Sequence, residues 1–213
     1  MKPDDKVVLT DEPLLTKGRV EFHYWDGRDA GRVPPVWFLE TMGRELVAVW
    51  AAARSLFEKI PGGREMMGKK RRVIALRRAD ALPSHQGRAP VAAYVWHGGM
   101  KLAPGQTRKG DVIVSSKVGG GTGKRPTGLS DLVHELAHAY WYEVVTRDRA
   151  LRFIDAHQRV DKLSGAFDAK SFVSPYAWSS PEEDFAESLM VKLMEPATAK
   201  RYPLAMEKLE LAL

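Results

Sequence analysis

Ser130-Asp131-Leu132-Val133-His134-Glu135-Leu136-Ala137-His138-Ala139-Tyr140 is the stretch from which the rest of this chain is read. It holds neither Gly nor Pro. Its apolar residues at 132, 133, 136, 137 and 140 predict a helix over about residues 131–145, largely apolar and packed into a core. His134 and His138 are four apart on that helix and leave from one face. At this spacing two imidazole nitrogens can reach one tetrahedral metal ion. Glu135 adjoins the first of them, where a carboxylate can accept a proton from attacking water. Two histidines on one helix face also occur as ordinary core or surface residues, so the pattern calls for a third ligand from elsewhere.

Composition narrows what that ligand can be. The 213 residues include no Cys, which excludes disulfides and thiolate metal sites and leaves His and carboxylates as the donors. A chain of this length, 44% hydrophobic and 28% charged, suits one globular domain or two lobes sharing a cleft. The excess of 33 Lys and Arg over 27 Asp and Glu gives a formal net charge of +6, which permits anionic partners without demanding them. Met1-Lys2-Pro3-Asp4-Asp5-Lys6 lacks an apolar signal core, so a cytoplasmic location is expected, with export lacking a cleaved signal or virion association left open. The most apolar run, Leu46 to Ala53, is too short to span a bilayer, and no membrane span is expected.

Lys6 to Thr10 and Arg19 to Trp25 read as short strands. Pro34-Pro35 opens a long helix to about Ile60, with Phe38, Met42, Leu46, Val49, Ala53, Leu56 and Ile60 in steps of three and four, and Pro61-Gly62-Gly63 ends it. Val73 to Leu76, Val91 to Trp96 and Asp111 to Ser116 read as further strands. Helices follow at about Asp131 to Val145, Arg149 to Leu163 and Pro181 to Met194, then a last segment runs to Leu213. Strands in the first half and helices in the second predict an α+β fold: a twisted N-terminal sheet lobe with a long helix over residues 1–128, and a helical lobe over residues 129–213.

The third ligand separates the classes of metal enzyme. A third His six residues beyond His138 would mark one of them, but Val144 stands there. The downstream helix offers Glu182, Glu183, Asp184 and Glu187. The segment Tyr176-Ala177-Trp178-Ser179-Ser180-Pro181-Glu182-Glu183-Asp184-Phe185-Ala186-Glu187 resembles the second motif of the zincin metalloproteases of the gluzincin type, in the group of the anthrax lethal factor protease domain and the Pro-Pro endopeptidases. In that group a Tyr precedes the zinc-binding Glu by seven residues, and the Glu opens a Glu-aromatic-Phe-Ala-Glu run. Tyr176 and Glu183 have that separation, and Phe185-Ala186-Glu187 matches the end of the run. Asp184 departs from it, standing where the family has an aromatic residue. The likeness covers about residues 129–194.

The resemblance implies a zincin-like fold and a single metallopeptidase domain over residues 1–213. It implies Zn²⁺ on His134, His138 and Glu183, Glu187 behind a ligand His, Glu135 as general base, and the Tyr176 hydroxyl at the oxyanion. Glu183 has an ordinary explanation too, since Ser180-Pro181-Glu182-Glu183 is a capping box. That leaves the like-charged pair Glu183 and Glu187 at i,i+4 unexplained, and a cation with a ligand imidazole between the helices would relieve it.

In zincins the edge strand precedes a central strand that leads into the metal helix, and this chain is similar. DVIVSS (Asp111 to Ser116) has the consecutive apolar residues of a strand buried on both faces. Val91 to His97, with Tyr94 and Trp96, is then expected to be the edge strand that binds a protein or peptide substrate as an added strand. Tyr94 and Trp96 packing in the core is the alternative. Two other features carry less. Gly119-Gly120-Gly121-Thr122-Gly123-Lys124 is not a phosphate-binding loop, because Val118 stands at its first Gly position and Arg125 at its Ser or Thr. Lys69-Lys70-Arg71-Arg72 with Arg77-Arg78 reads as a solvated strand end rather than a nucleic-acid surface, there being no interleaved aromatics. The rival functions are a catalytically silent zincin-fold structural or interaction protein, such as a virion or secretion-machine component, and a nucleic-acid-associated protease or regulator.

Overall fold

In a computed structural model, residues 8–9, 15–17, 19–26, 36–76, 92–94, 109–115, 128–164 and 168–213 are described. The fold mixes helix and strand as expected. The order is β1 (Val8–Leu9), β2 (Leu15–Lys17), β3 (Val20–Asp26), α1 (Val36–Phe57), α2 (Gly63–Met67), β4 (Arg71–Leu76), β5 (Ala92–Tyr94), β6 (Val112–Ser115), α3 (Leu129–Glu143), α4 (Arg147–Ser164), a 3-10 turn (Ala177–Ser179), α5 (Pro181–Met194), α6 (Pro196–Ala199) and α7 (Pro203–Glu210). The glycine-rich segment 119–124, His85, His97 and Arg77-Arg78 lie outside the described residues.

Two compact units emerge. The first comprises Met1–Ala53 with Gly68–Leu132, and the second Arg54–Met67 with Val133–Leu213. Residues 54–67 group with the helical unit.

The first unit holds a mixed sheet in the order β1-β3-β4-β6-β5, with β2 also pairing β3. β3, β4 and β6 run parallel, while β1 and β5 are antiparallel to their neighbours. A parallel pair such as β3 and β4 needs a long crossover, and α1 lies in that connection. Val73, Ile74 and Ala75 of β4 and Val112, Ile113 and Val114 of β6 are consecutive and all buried, as in strands covered on both faces. β6 is therefore interior and β5 terminal among the described strands, the order expected from their apolar content.

Tyr94 of β5 is buried, 4% exposed, with the Arg71 guanidinium carbon 5.8 Å from its ring centroid. Any part this residue takes in binding a strand falls to its backbone rather than its ring. Trp96 lies outside the described residues. The basic run also differs from a solvated strand end. Arg71 and Arg72 are buried; Arg71 Nη1 donates to Gly110 O at 3.0 Å, and Arg72 Nε donates to Asp111 Oδ1 at 3.0 Å with a second bond from Nη2 to Oδ2. Asp111, just before β6, supplies the matching charge, which sequence separation concealed. Lys70 remains exposed and pairs with Glu21.

The second unit is built around an aromatic cluster. Phe185 of α5 lies 4.9 Å from Trp141, 5.7 Å from Phe153 and 6.1 Å from Tyr140, centroid to centroid. Such pairs contribute about 0.5–1.5 kcal/mol each beyond the area they bury. The Tyr140 hydroxyl donates to Pro61 O at 2.5 Å, so its burial leaves no stranded polar group. α1 ends at Phe57, short of the expected Ile60, and Pro61-Gly62 belongs to the turn that leads into α2 at Gly63. Gly62 takes φ +70°, and a Cβ there would lie 2.6 Å from Val144 Cγ1, so only glycine fits. Among the described residues no helix is long and apolar enough to cross a membrane.

Candidate metal centre

α3 carries Leu132, Val133, Leu136, Ala137 and Tyr140 buried, which fixes its rotation and aims His134 and His138 the same way. Their rings stand edge to face with centroids 4.8 Å apart and their Nε2 atoms 3.1 Å apart. α5 brings the third group. Glu183 Oε2 lies 3.1 Å from His134 Nε2 and 3.3 Å from His138 Nε2. Among the described residues, His134, His138 and Glu183 form the one set able to hold a metal ion, with a ligand atom from each within 4.8 Å of the others.

The triangle of 3.1, 3.1 and 3.3 Å can be tested against a real ion. Tetrahedral zinc with bonds of about 2.0–2.1 Å separates its donors by about 3.3 Å. The donor types, two imidazoles and one carboxylate, also suit zinc. The residues therefore fit a divalent metal of that kind.

Ser180 caps α5, its hydroxyl accepting from Glu183 N at 3.2 Å. The capping reading is right for Ser180, yet the Glu183 carboxylate points to the two histidines. Glu187, one turn on, places Oε1 2.9 Å from His134 Nδ1. A carboxylate only accepts, so Nδ1 carries the proton and Nε2 is left facing Glu183.

The electrostatics call for a cation. Burial alone would lower the basicity of His134, but hydrogen bonds to Glu183 and Glu187 and the charge of Glu135 outweigh it and push its pKa up to about 10. Burial raises the Glu183 carboxyl, but hydrogen bonds and charges from both histidines win and hold it far below the usual carboxylate range. Glu187 is lowered as well: burial opposes, and the bond to His134 prevails.

Glu135 is buried at 7% exposure, and its charge is felt at both His134 and Tyr176. Tyr176 is 42% exposed, with its ring centroid 6.0 Å from that of His134. Its hydroxyl pKa is raised by burial, then by the charge of Glu183 and a hydrogen bond to that carboxylate. His134, Glu135, His138, Tyr176, Glu183 and Glu187 are thus brought together in one unit. Tyr94 belongs to the sheet unit.

Two neighbours escaped the sequence reading. Ser174 Oγ donates to Glu187 Oε2 at 2.8 Å and accepts from Ala177 N at 3.0 Å, tying the Tyr176 segment to the carboxylate behind His134. Nothing in the sequence marks it. Tyr142 is raised to about 12, by burial and then by Glu182 and Glu183 nearby. The spacing 134, 138, 142 on one helix face was a signal for it.

The chain matches no family model, no curated protein and no solved structure.

Proposed function

We propose that the chain is a zinc-dependent endopeptidase of zincin type, with His134, His138 and Glu183 as the metal ligands. The observation that carries this is the ligand triangle with Glu135 beside it: three donors at zinc spacing, closed by residues 49 apart in sequence, next to a buried carboxylate. A purely structural zinc would need no such base. When bound, the ion supplies Lewis acidity toward water and the peptide carbonyl.

The residues divide the remaining work. Glu135 accepts a proton from the attacking water and returns it to the leaving amine. Tyr176 transfers its hydroxyl hydrogen bond from Glu183 to the oxyanion as negative charge develops there. Glu187 holds His134 Nδ1 and so keeps Nε2 turned toward Glu183, where the ion would be held. The substrate is a protein or peptide bound in extended form.

The test has two parts. Zinc should bind at one equivalent per chain, and a diverse peptide library should be cut by the wild type but not by Glu135→Gln at equal zinc content. Absence of zinc binding, or equal cleavage by both proteins, would sink the proposal.

A further inference from the structure

Asp184 breaks the aromatic pattern beside the ligand, and it has no place in the chemistry above. It is fully buried, at 0% exposure, on α5. His157 Nδ1 of α4 donates to its Oδ2 at 2.9 Å, and Lys208 Nζ of α7 donates to the same oxygen. Ser188 Oγ, one turn along α5, donates to Oδ1 at 3.3 Å. His157 and Lys208 are themselves 5% and 4% exposed. Lys208 Nζ also sits 3.8 Å from the ring centroid of buried Phe172, a cation–π contact.

An ion pair this deep is a poor source of stability. Desolvating both charges offsets most of their attraction, and an apolar replacement often serves as well. What a buried ion pair does offer is direction. Apolar contacts, such as those of Phe185 and Leu189 on another face of α5, are non-directional, whereas hydrogen bonds from two other helices fix the turn of α5 about its axis. Successive helix residues stand about 100° apart, so the angle that sets Asp184 sets Glu183. With carboxylate oxygens about 6 Å from the axis, a rotation of about 10° moves them by about 1 Å. Metal–ligand distances tolerate only about 0.2 Å.

We infer that Asp184, held by His157 and Lys208, is a positioning device that sets the rotation of α5, so that Glu183 and Glu187 meet the two histidines of α3. This rests on the metal reading of Glu183. The three residues touch neither substrate nor ion; they act through α5. The site thereby depends on α4 and α7, which contribute no ligand.

The experiment uses the full chain, Zn²⁺ affinity by competition with a chromophoric chelator, the visible absorption of the Co²⁺ form, and thermal unfolding without metal. Asp184→Leu/Lys208→Met removes both charges together, so neither is left buried alone and metal-free folding should persist. Its Zn²⁺ affinity should fall at least about tenfold, and its Co²⁺ spectrum should depart from that of the wild type. Asp184→Asn/Lys208→Met keeps a carbonyl acceptor for His157 and turns its amide N–H to the Ser188 hydroxyl, which then accepts, and should hold affinity within about threefold of wild type. If the Leu/Met protein binds Zn²⁺ like the wild type with an identical Co²⁺ spectrum, the positioning role is overturned while the metal site stands. If the wild type binds neither ion, the metal reading falls and this inference with it. Should Leu/Met not fold, Asn/Met decides: a fall of more than tenfold in a folded Asn/Met protein would overturn the role assigned to the hydrogen bonds.

Discussion

Replacing Glu187 by Ala probes the carboxylate that stands behind His134, a proposed metal ligand, rather than among the proposed ligands. Glu187 Oε1 lies 2.9 Å from His134 Nδ1, and its other oxygen accepts from Ser174. Without it, His134 loses the acceptor that fixes its tautomer and ring orientation, while all three ligands remain. Loss of such a partner costs about 10- to 100-fold in metal affinity, or about 1.4–2.8 kcal/mol. A compensating gain exists: Glu183 and Glu187 repel at i,i+4, but relief amounts to only about 0.2–0.5 kcal/mol. The net effect should remain a loss of about 1–2.5 kcal/mol. Free zinc at 100 times the wild-type dissociation constant stabilises the folded protein by about 2.7 kcal/mol, and a tenfold weaker site halves that to about 1.4 kcal/mol. Thermal unfolding with and without zinc, at fixed free metal, reads the difference. If zinc stabilises Glu187→Ala as much as wild type, the bond to Nδ1 has no bearing on the metal, and Glu187 is no more than an ordinary helix residue.

Further outcomes follow from the same geometry. Glu135→Gln should retain one zinc with affinity close to wild type and lose about 10²–10⁴-fold in peptide hydrolysis, since an amide cannot take the proton; turnover within a few fold would remove Glu135 from the role of base. Tyr176→Phe should bind zinc normally, with kcat reduced by about 10²–10³-fold, the usual cost of losing one oxyanion donor; an unchanged kcat with a raised KM would make Tyr176 a substrate contact instead. Phe185→Ala should destabilise the fold by about 3–5 kcal/mol, because a fully buried ring among Tyr140, Trp141 and Phe153 is lost; denaturant unfolding measures it, and a loss below about 1 kcal/mol would contradict the packing. Arg72→Met should cost about 1.5–3 kcal/mol by removing two charge-assisted hydrogen bonds to buried Asp111, which equilibrium unfolding near neutral pH would detect.

What the sequence determined by itself was local. The four-residue step from His134 to His138 lies within one helix, so helical periodicity gave their common face, and the Ser180 cap with Pro181 placed the start of α5. Consecutive apolar residues in DVIVSS identified an interior strand. The 3-residue β2 and the 5-residue α2 went unread, because elements so short carry no periodicity. Other properties were settled only by chain folding. Four acidic residues on α5 were candidates for the third ligand, and all carry the same chemistry. In the folded chain Phe185 packs among Tyr140, Trp141 and Phe153, Glu183 and Glu187 face His134, and Asp184 faces His157 and Lys208. The same holds for Arg72, whose charge reads as solvated until β4 and β6 bring Asp111 beside it, 39 residues away. Periodicity reports which way a side chain leaves its own helix or strand; what it meets there depends on neighbours that only tertiary packing supplies.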